Sequence, residues 1–505
     1  MTAGTSLVAN LIAAAARFPD RCAVQDGTTR LSYGELLNQA ASIASHLREQ
    51  GLQQGERVAL ILPNSAEFVA AYYGVLMAGG VAVLLNAAGK SRDFAAWLRD
   101  CEPTFVLLDP RLADAAASIA ELPRPAVVWK TSGDASAAFG LSIPRQSFAV
   151  QAPCNQDDPA CILYTSGTTS RPKGVVLSHG NLASNTASIA EYLQLAAQDS
   201  IVTVLPFYYS YGSSVLHSHV LVGARLILEK NFVYPHAVIE SLARERATGF
   251  AGVPSTFALL LSRVKLHDYD LLSLRYVTQA GGAMSAAITQ QLREALPNAS
   301  VFVMYGQTEA TARLSYLPPQ HLERKLGSVG VAIPGVTLEV RNEQGGPAAI
   351  DEVGEVWARG PNVMLCYWRN EQATADVKRD GWLKTGDMGR MDSEGYLYLA
   401  GRRSDMIKSG AHRIHPQDIE DVIAELPQVR EVAVVGVDDP ILGQAIRAFV
   451  ALADAAVLTP MQIQAHCRER LANYKIPKTV TIVASLPRTA SGKIRRAELL
   501  ETATP

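Results

Sequence analysis

The chain has 505 residues, with 46 Lys plus Arg against 48 Asp plus Glu and a formal charge of −2. Hydrophobic residues make up 48% and charged residues 19%, a globular composition, and at about 150 residues per domain the length suggests roughly three units. The balanced charge excludes a polybasic nucleic-acid binder or an acidic solvating tail as the main role. Six cysteines (22, 101, 154, 161, 366 and 467) form no CxxC pair and no His/Cys cluster. That argues against a disulfide framework or a structural zinc site and for a reducing, cytoplasmic setting.

The first residues are amphipathic around Leu7, Leu11 and Ala15 but lack a basic start and a long apolar run, so no targeting signal is expected. Ser32 and Glu35 form a capping box, followed by Leu36, Ala40, Ile43 and Leu47 on one helical face. A buried strand is predicted over 57–63. Residues 68–89 carry no charge and are long enough to span a bilayer. Gly79 and Gly80 divide that stretch into a helical half, 68–78, and a β-like half, 81–85, so a buried αβ unit is the better reading. Further strands are predicted over 104–108, 127–129, 201–205, 224–228 and 300–304, with a helix over 285–296. This alternation predicts an α/β fold of parallel-type layers.

The pattern changes after about residue 325. Short β segments at 336–340, 354–359 and 396–400 between turn residues suggest a small antiparallel β unit. A smaller α+β domain then starts near Gly401, with helices over 416–426 and 460–472 and strands over 431–437, 448–452 and 479–483.

The segment from Tyr164 to Gly174 carries the most chemistry. Its glycines allow tight turns that present N–H groups to anionic oxygens, its hydroxyls add donors, and Lys173 supplies charge. The spacing is not that of the G-x-x-x-x-G-K-[ST] loop, which disfavours a standard NTPase. Four more segments stand out in order: Tyr305-Gly306-Gln307-Thr308-Glu309, Thr385-Gly386-Asp387, Gly401-Arg402, and Pro487 through Lys493. Singly, Tyr305 reads equally as core, Glu309 as a helix N-terminal anion, Asp387 as a turn residue, and Lys493 as a solvated charge near Arg495 and Arg496.

As an ordered set over nearly the whole chain, these motifs resemble the adenylate-forming superfamily of acyl-CoA synthetases, peptide-synthetase adenylation domains and luciferases. The resemblance implies an N-terminal AMP-binding domain over 1–400, a hinge over 401–404, and a mobile C-terminal catalytic lid over 405–505. It implies ATP, Mg2+ and a thiol donor, either CoA or carrier-protein phosphopantetheine. Thr165, Ser166, Gly167, Thr168, Thr169 and Lys173 would hold the β- and γ-phosphates. Tyr305, on Gly306's turn, would stack on adenine, Thr308 would contact the α-phosphate, and Glu309 would bind Mg2+. Asp387 would accept from the ribose hydroxyls with Arg402 nearby, and Lys493 would bridge the acid carboxylate and the α-phosphate.

For the second half-reaction the resemblance places the hinge at Ser404, where Asp or Lys is usual, and the second-half lysine at Lys408. Arg413 would reach the phosphate of the thiol donor, and Ala411 falls where many relatives have glycine beside the pantetheine path. The acid pocket would draw on Tyr209, Gly281, Gly282 and Ala283. Tyr209 stands where amino-acid-activating domains place an Asp, so a substrate ammonium would be poorly compensated and an uncharged acyl or aryl acid is favoured. His217 and His219 are expected to be core or surface residues.

The expected activity is AMP-forming activation of a small-molecule carboxylic acid and transfer to a thiol, CoA before others. Residues 494–505 are too few for an appended carrier domain, so any carrier protein would act in trans. A stand-alone acyl- or aminoacyl-carrier-protein ligase and an inactive nucleotide-binding protein are the alternatives. Neither nucleic acid nor a membrane span is expected.

Overall fold

The computed structural model describes residues 6–119, 127–130, 155–165, 172–230, 232–409, 412–439, 442–489 and 492–501. Apolar strands separated by helices build two large sheets. In the first, Cys22–Asp26, Arg225–Leu228, Ser200–Thr203, Gly249–Gly252, Tyr276–Gln279 and Ser300–Tyr305 run parallel in that spatial order. Thr29–Ser32 closes one edge antiparallel, and Ser315–Tyr316 with Val331–Ala332 closes the other. The second sheet runs parallel through Val127–Lys130, Phe105–Leu108, Arg57–Ile61, Val81–Leu84 and Pro159–Thr165. It ends in two antiparallel strands, Lys173–Ser178 and Cys366–Tyr367.

The uncharged stretch lies in this body. Every residue of the helix Ala66–Ala78 is buried, and it packs on the helix Tyr33–Glu49, with Gly74 against Ile43. From Phe68 on the helix is uncharged on every face, so it has no solvent side and belongs in a core. Gly79 ends it at φ 85°, a left-handed cap that favours glycine, and the chain turns into Val81–Leu84. Among the described residues no helix is long and apolar enough to cross a membrane. The capping box at Ser32 and Glu35 is formed.

The antiparallel unit pairs Thr337–Arg341, Gly354–Arg359, Trp382–Met391 and Leu397–Arg402. Gly401 and Arg402 are the last two residues of this sheet, opposite Met388 and Asp387. The chain then passes through the turn Arg403–Asp405 into the smaller domain. There Ile419, Ile423, Ile463 and Cys467, from the helices Pro416–Ala424 and Pro460–Arg470, pack on Val434, Ala448 and Val450 of the sheet. Its central strands are Val429–Asp439 and Gly443–Leu452, longer than the apolar runs because charged ends continue the ladder. One such end, Asp439, is paired with Lys478 at 2.6 Å.

Candidate active site

Parallel strands gather their carboxyl ends on one edge, where α/β proteins build sites. Gly249–Gly252, Tyr276–Gln279 and Ser300–Tyr305 are neighbours, so the residues that follow them converge. After the first come Val253 and Pro254, after the second Gly281 and Gly282, and after the third Gly306. Gly281 has φ 89°, and a Cβ built on it would lie 3.3 Å from Val253. A Cβ on Gly282 would lie 3.4 Å from Pro254. Gly281, Gly282 and Ala283 are exposed, and Tyr209 is half-buried at the start of the helix Ser210–Val222, its ring 4.6 Å from that of Tyr208.

The turn after Tyr305 admits no side chain at Gly306, where a Cβ would stand 2.0 Å from the Ala312 carbonyl. That contact brings the loop back on itself and sets Thr308 and Glu309. Gly306→Ala should therefore displace the loop, destabilise the chain by about 1–3 kcal/mol and slow acid-dependent pyrophosphate exchange at least tenfold. A thermal melt and an exchange assay check both, and an unshifted melt with full exchange would refute the close packing.

Tyr305 is buried, and its hydroxyl donates to Asp387 Oδ2 at 2.6 Å. Arg402, the register partner of Asp387, places Nε 3.0 Å from Oδ1. Thr385 Oγ1 accepts from the Asp387 N–H at 3.1 Å and donates to the Val356 carbonyl at 2.7 Å, fixing the β-bulge at Gly386. Asp387 is 7% exposed. Burial raises its pKa above the ordinary aspartate value, against the opposing pull of Arg402 and the Tyr305 hydroxyl. Arg402 is pushed up in turn, chiefly by Asp387, and burial next to that carboxylate drives the Tyr305 phenol well up.

The phosphate-loop residues Thr165 and Lys173 end two antiparallel strands and face each other in register. The loop thus closes a hairpin, not a strand-to-helix turn. Ser166, Gly167, Thr168 and Thr169 lie outside the described residues. Lys173 Nζ stands 5.3 Å above the Tyr367 ring, and the Tyr367 hydroxyl donates to Glu309 Oε1 at 2.8 Å. The Met364 N–H donates to the Glu309 carbonyl at 2.9 Å. Thr308 Oγ1 is 3.3 Å from Ser210 Oγ.

Lys493 reaches this cleft from the smaller domain. Thr489 brackets it, donating its N–H to the Lys493 carbonyl at 2.7 Å and accepting from the Lys493 N–H at 3.1 Å. The preceding Gly492, at φ 82°, abuts the body: a Cβ there would lie 3.1 Å from Val253 and 3.2 Å from Ser255 Oγ. The lysine keeps access to solvent although protein packs around much of it. The enclosing protein and then Arg402 lower its pKa, while Asp387 and Glu309 oppose them. Lys408, by contrast, is exposed on the strand Ile407–Ser409 opposite Arg413. Ser404 lies in the turn Arg403–Asp405, and Ala411 is outside the described residues.

His219 is bonded to the Val215 carbonyl and the Tyr276 hydroxyl at 2.8 and 2.7 Å, and His217 stacks on Tyr72. Burial lowers them to about 4 and about 3, so both are neutral core residues. Sequence reasoning missed Val253 and Pro254, which support both the acid-pocket loop and the Lys493 loop, and Tyr367, which connects Lys173 to Glu309. The strand-to-proline transition at Gly252 was a usable signal for the first pair. Nothing local marks Tyr367.

A family model for AMP-binding enzymes matches residues 11–368, and one for the AMP-binding enzyme C-terminal domain matches 418–493. The long-chain-fatty-acid–CoA ligase of Bacillus subtilis is 32% identical over 529 residues, covering 97% of this chain and 93% of the relative. ATP-bound MatB from Rhodopseudomonas palustris superposes with a TM-score of 0.90 at 31% identity, over 99% of this chain and 98% of that one. The o-succinylbenzoate CoA synthetase of Bacillus subtilis, in complex with its acyl-adenylate intermediate, gives 0.87 at 30% identity, over 97% of each. Motifs, fold and relatives agree, and the chain belongs to the AMP-binding enzyme family, the adenylate-forming superfamily its five ordered motifs resemble.

Proposed function

We propose that the chain activates a carboxylic acid with ATP and passes the acyl group to the thiol of CoA. One observation carries the reading: Lys173, Thr308, Glu309, Asp387, Arg402 and Lys493, from five separated segments, converge on a single cleft. CoA ligases among the relatives support the choice of thiol.

In the first step a carboxylate oxygen bonds to the α-phosphorus while the bond to pyrophosphate breaks. Two anions must approach, so the protein's task is positioning and charge neutralisation. Lys493 would bridge the carboxylate and the α-phosphate, Thr308 would donate to the α-phosphate, and Lys173 with the Thr165 loop would hold the departing phosphates. Asp387 would accept from the ribose hydroxyls, with Tyr305 packed beside adenine. Among the described residues no three His, Cys, Asp or Glu side chains cluster as a metal cage. Glu309, held by Tyr367, therefore fits a Mg2+ ion that takes its other ligands from phosphate oxygens and water, neutralising their charge.

In the second step the thiol sulfur bonds to the acyl carbon, AMP leaves, and the thiol proton passes to solvent. The smaller domain would turn about Ser404, withdrawing Lys493 and presenting Lys408, with Arg413 toward the phosphate of the thiol donor past Ala411.

The test is pyrophosphate exchange over aliphatic, aryl and amino acids, followed by AMP release with CoA or with a panel of carrier proteins. Exchange should require an acid, and turnover should require CoA. Transfer only to a carrier would make the chain a carrier-protein ligase, and inactivity over the whole library would leave a nucleotide-binding protein.

A further inference from the structure

Arg313 follows the Thr308–Ala310 turn and is 2% exposed. Among the described residues it has no carboxylate partner. Its guanidinium lies 4.1 Å from the centroid of the Tyr211 ring, Nε donates to Met304 Sδ at 3.3 Å, and one Nη reaches the Ala312 carbonyl at 3.4 Å. Five N–H donors thus meet a thioether, a long carbonyl contact, a π face and the nearby Tyr192 hydroxyl, none of them anionic. A buried cation so weakly compensated is costly unless an anion joins it.

The space beside it is polar. A cavity of about 10 Å³, roughly the room for one water, is lined by Arg313, Ser214, Ser218, His219, Tyr276 and Thr278 among others. The hydroxyls and the histidine are already occupied by backbone carbonyls or by each other. Tyr211 donates to the Thr278 carbonyl at 2.7 Å, Ser214 donates to the Tyr211 carbonyl at 2.7 Å, and His219 meets Tyr276. Unspent donor capacity in this cavity belongs to Arg313.

Its surroundings adjoin the strand that leads into the acid pocket, because the Tyr211 hydroxyl bonds to the carbonyl of Thr278, three residues before Gly281. Tyr211, which carries the guanidinium on its ring, directly follows Ser210, whose hydroxyl meets Thr308 on the nucleotide side. Tyr209 offers no carboxylate to a substrate cation, and Arg313 adds positive charge against the ring of Tyr211, two residues further on. The two agree in sign.

We infer that the acid activated here is a compact dicarboxylic acid, whose remote carboxylate places one oxygen in the water-sized space beside Arg313 while its near carboxylate is adenylated. The inference rests on the acid-activating function proposed above and replaces the otherwise uncharged acid that Tyr209 alone suggests.

Matched acids test it with the unaltered chain: short aliphatic and aryl dicarboxylates, each against the analogue with a methyl or carboxamide group in place of the remote carboxylate. The dicarboxylates should be favoured about a hundredfold or more in kcat/KM for pyrophosphate exchange, because a site built around a charged donor rejects what cannot pair with it. Arg313→Leu should abolish that preference and leave exchange with the methyl analogue intact or improved, and Arg313→Lys should retain part of it. Equal or better use of the methyl analogues by the unaltered chain would overturn the inference while leaving the proposed function standing. No exchange with any acid would overturn both. A Leu variant that melts lower yet keeps the selectivity would make Arg313 a packing residue and also overturn it.

Discussion

Replacing Lys493 by alanine should slow acyl-adenylate formation by about 10²–10³-fold, the usual cost of losing one preorganised charge contact to a transition state. Transfer from supplied acyl-adenylate to CoA should be largely spared, because that half-reaction needs the other face of the smaller domain. The geometry explains the asymmetry. Gly492 packs against Val253 and Ser255, and Lys493 enters the field of Arg402, Asp387 and Glu309, whereas Lys408 faces solvent. Single-turnover measurements of each half-reaction separate the two. Equal losses in both, or none in either, would remove the assigned role. The lysine must be protonated to neutralise charge, and its pKa lies below the usual lysine value. Adenylation measured as kcat/KM should therefore fall on the alkaline side at a lower pH than a free lysine would dictate. That limb should vanish in the alanine variant.

The fold was largely legible because its signals are local. Apolar strand runs, the Ser32 capping box and the Gly79 break each dictate backbone within a few residues, and parallel pairing follows from βα alternation. The ends of strands were less so. Charged residues such as Asp438 and Asp439 fall outside the predicted strand 431–437 but extend the ladder in Val429–Asp439, opposite Gln444 and Gly443. Motif residues were legible as types with a chemistry. What joins them was not. Tyr367 belongs to the site only because Cys366–Tyr367 adds to the edge of the phosphate-loop hairpin, a pairing nearly two hundred residues distant in sequence. Arg313 drew no notice because its meaning is an absence, a buried cation with no carboxylate beside it among the described residues, and absence is visible only once neighbours are known.

Asp387→Asn should weaken ATP and AMP binding by about 10²-fold, with a smaller effect on folding. Two hydrogen bonds from ribose hydroxyls to an ionised carboxylate contribute about 1.5–3 kcal/mol each, and an amide of the same shape retains the packing but loses the charge. Stability should fall less because Arg402 is half exposed, where water replaces much of the lost ion pair. The Tyr305 hydroxyl keeps an acceptor in the asparagine oxygen. Deoxynucleotides make the test specific. The unaltered chain should bind ATP more tightly than 2′-deoxy- or 3′-deoxy-ATP, and that ratio should collapse toward one in the variant, since only a group touching the hydroxyls couples to their removal. A variant that lost affinity but kept the full ratio would show Asp387 acting through Arg402 and Tyr305 rather than on the ribose. Acid supplies an independent arm. The Asp387 pKa is raised by burial, so nucleotide affinity should fall on acidification sooner than an exposed aspartate would predict, and the asparagine variant should show no such dependence.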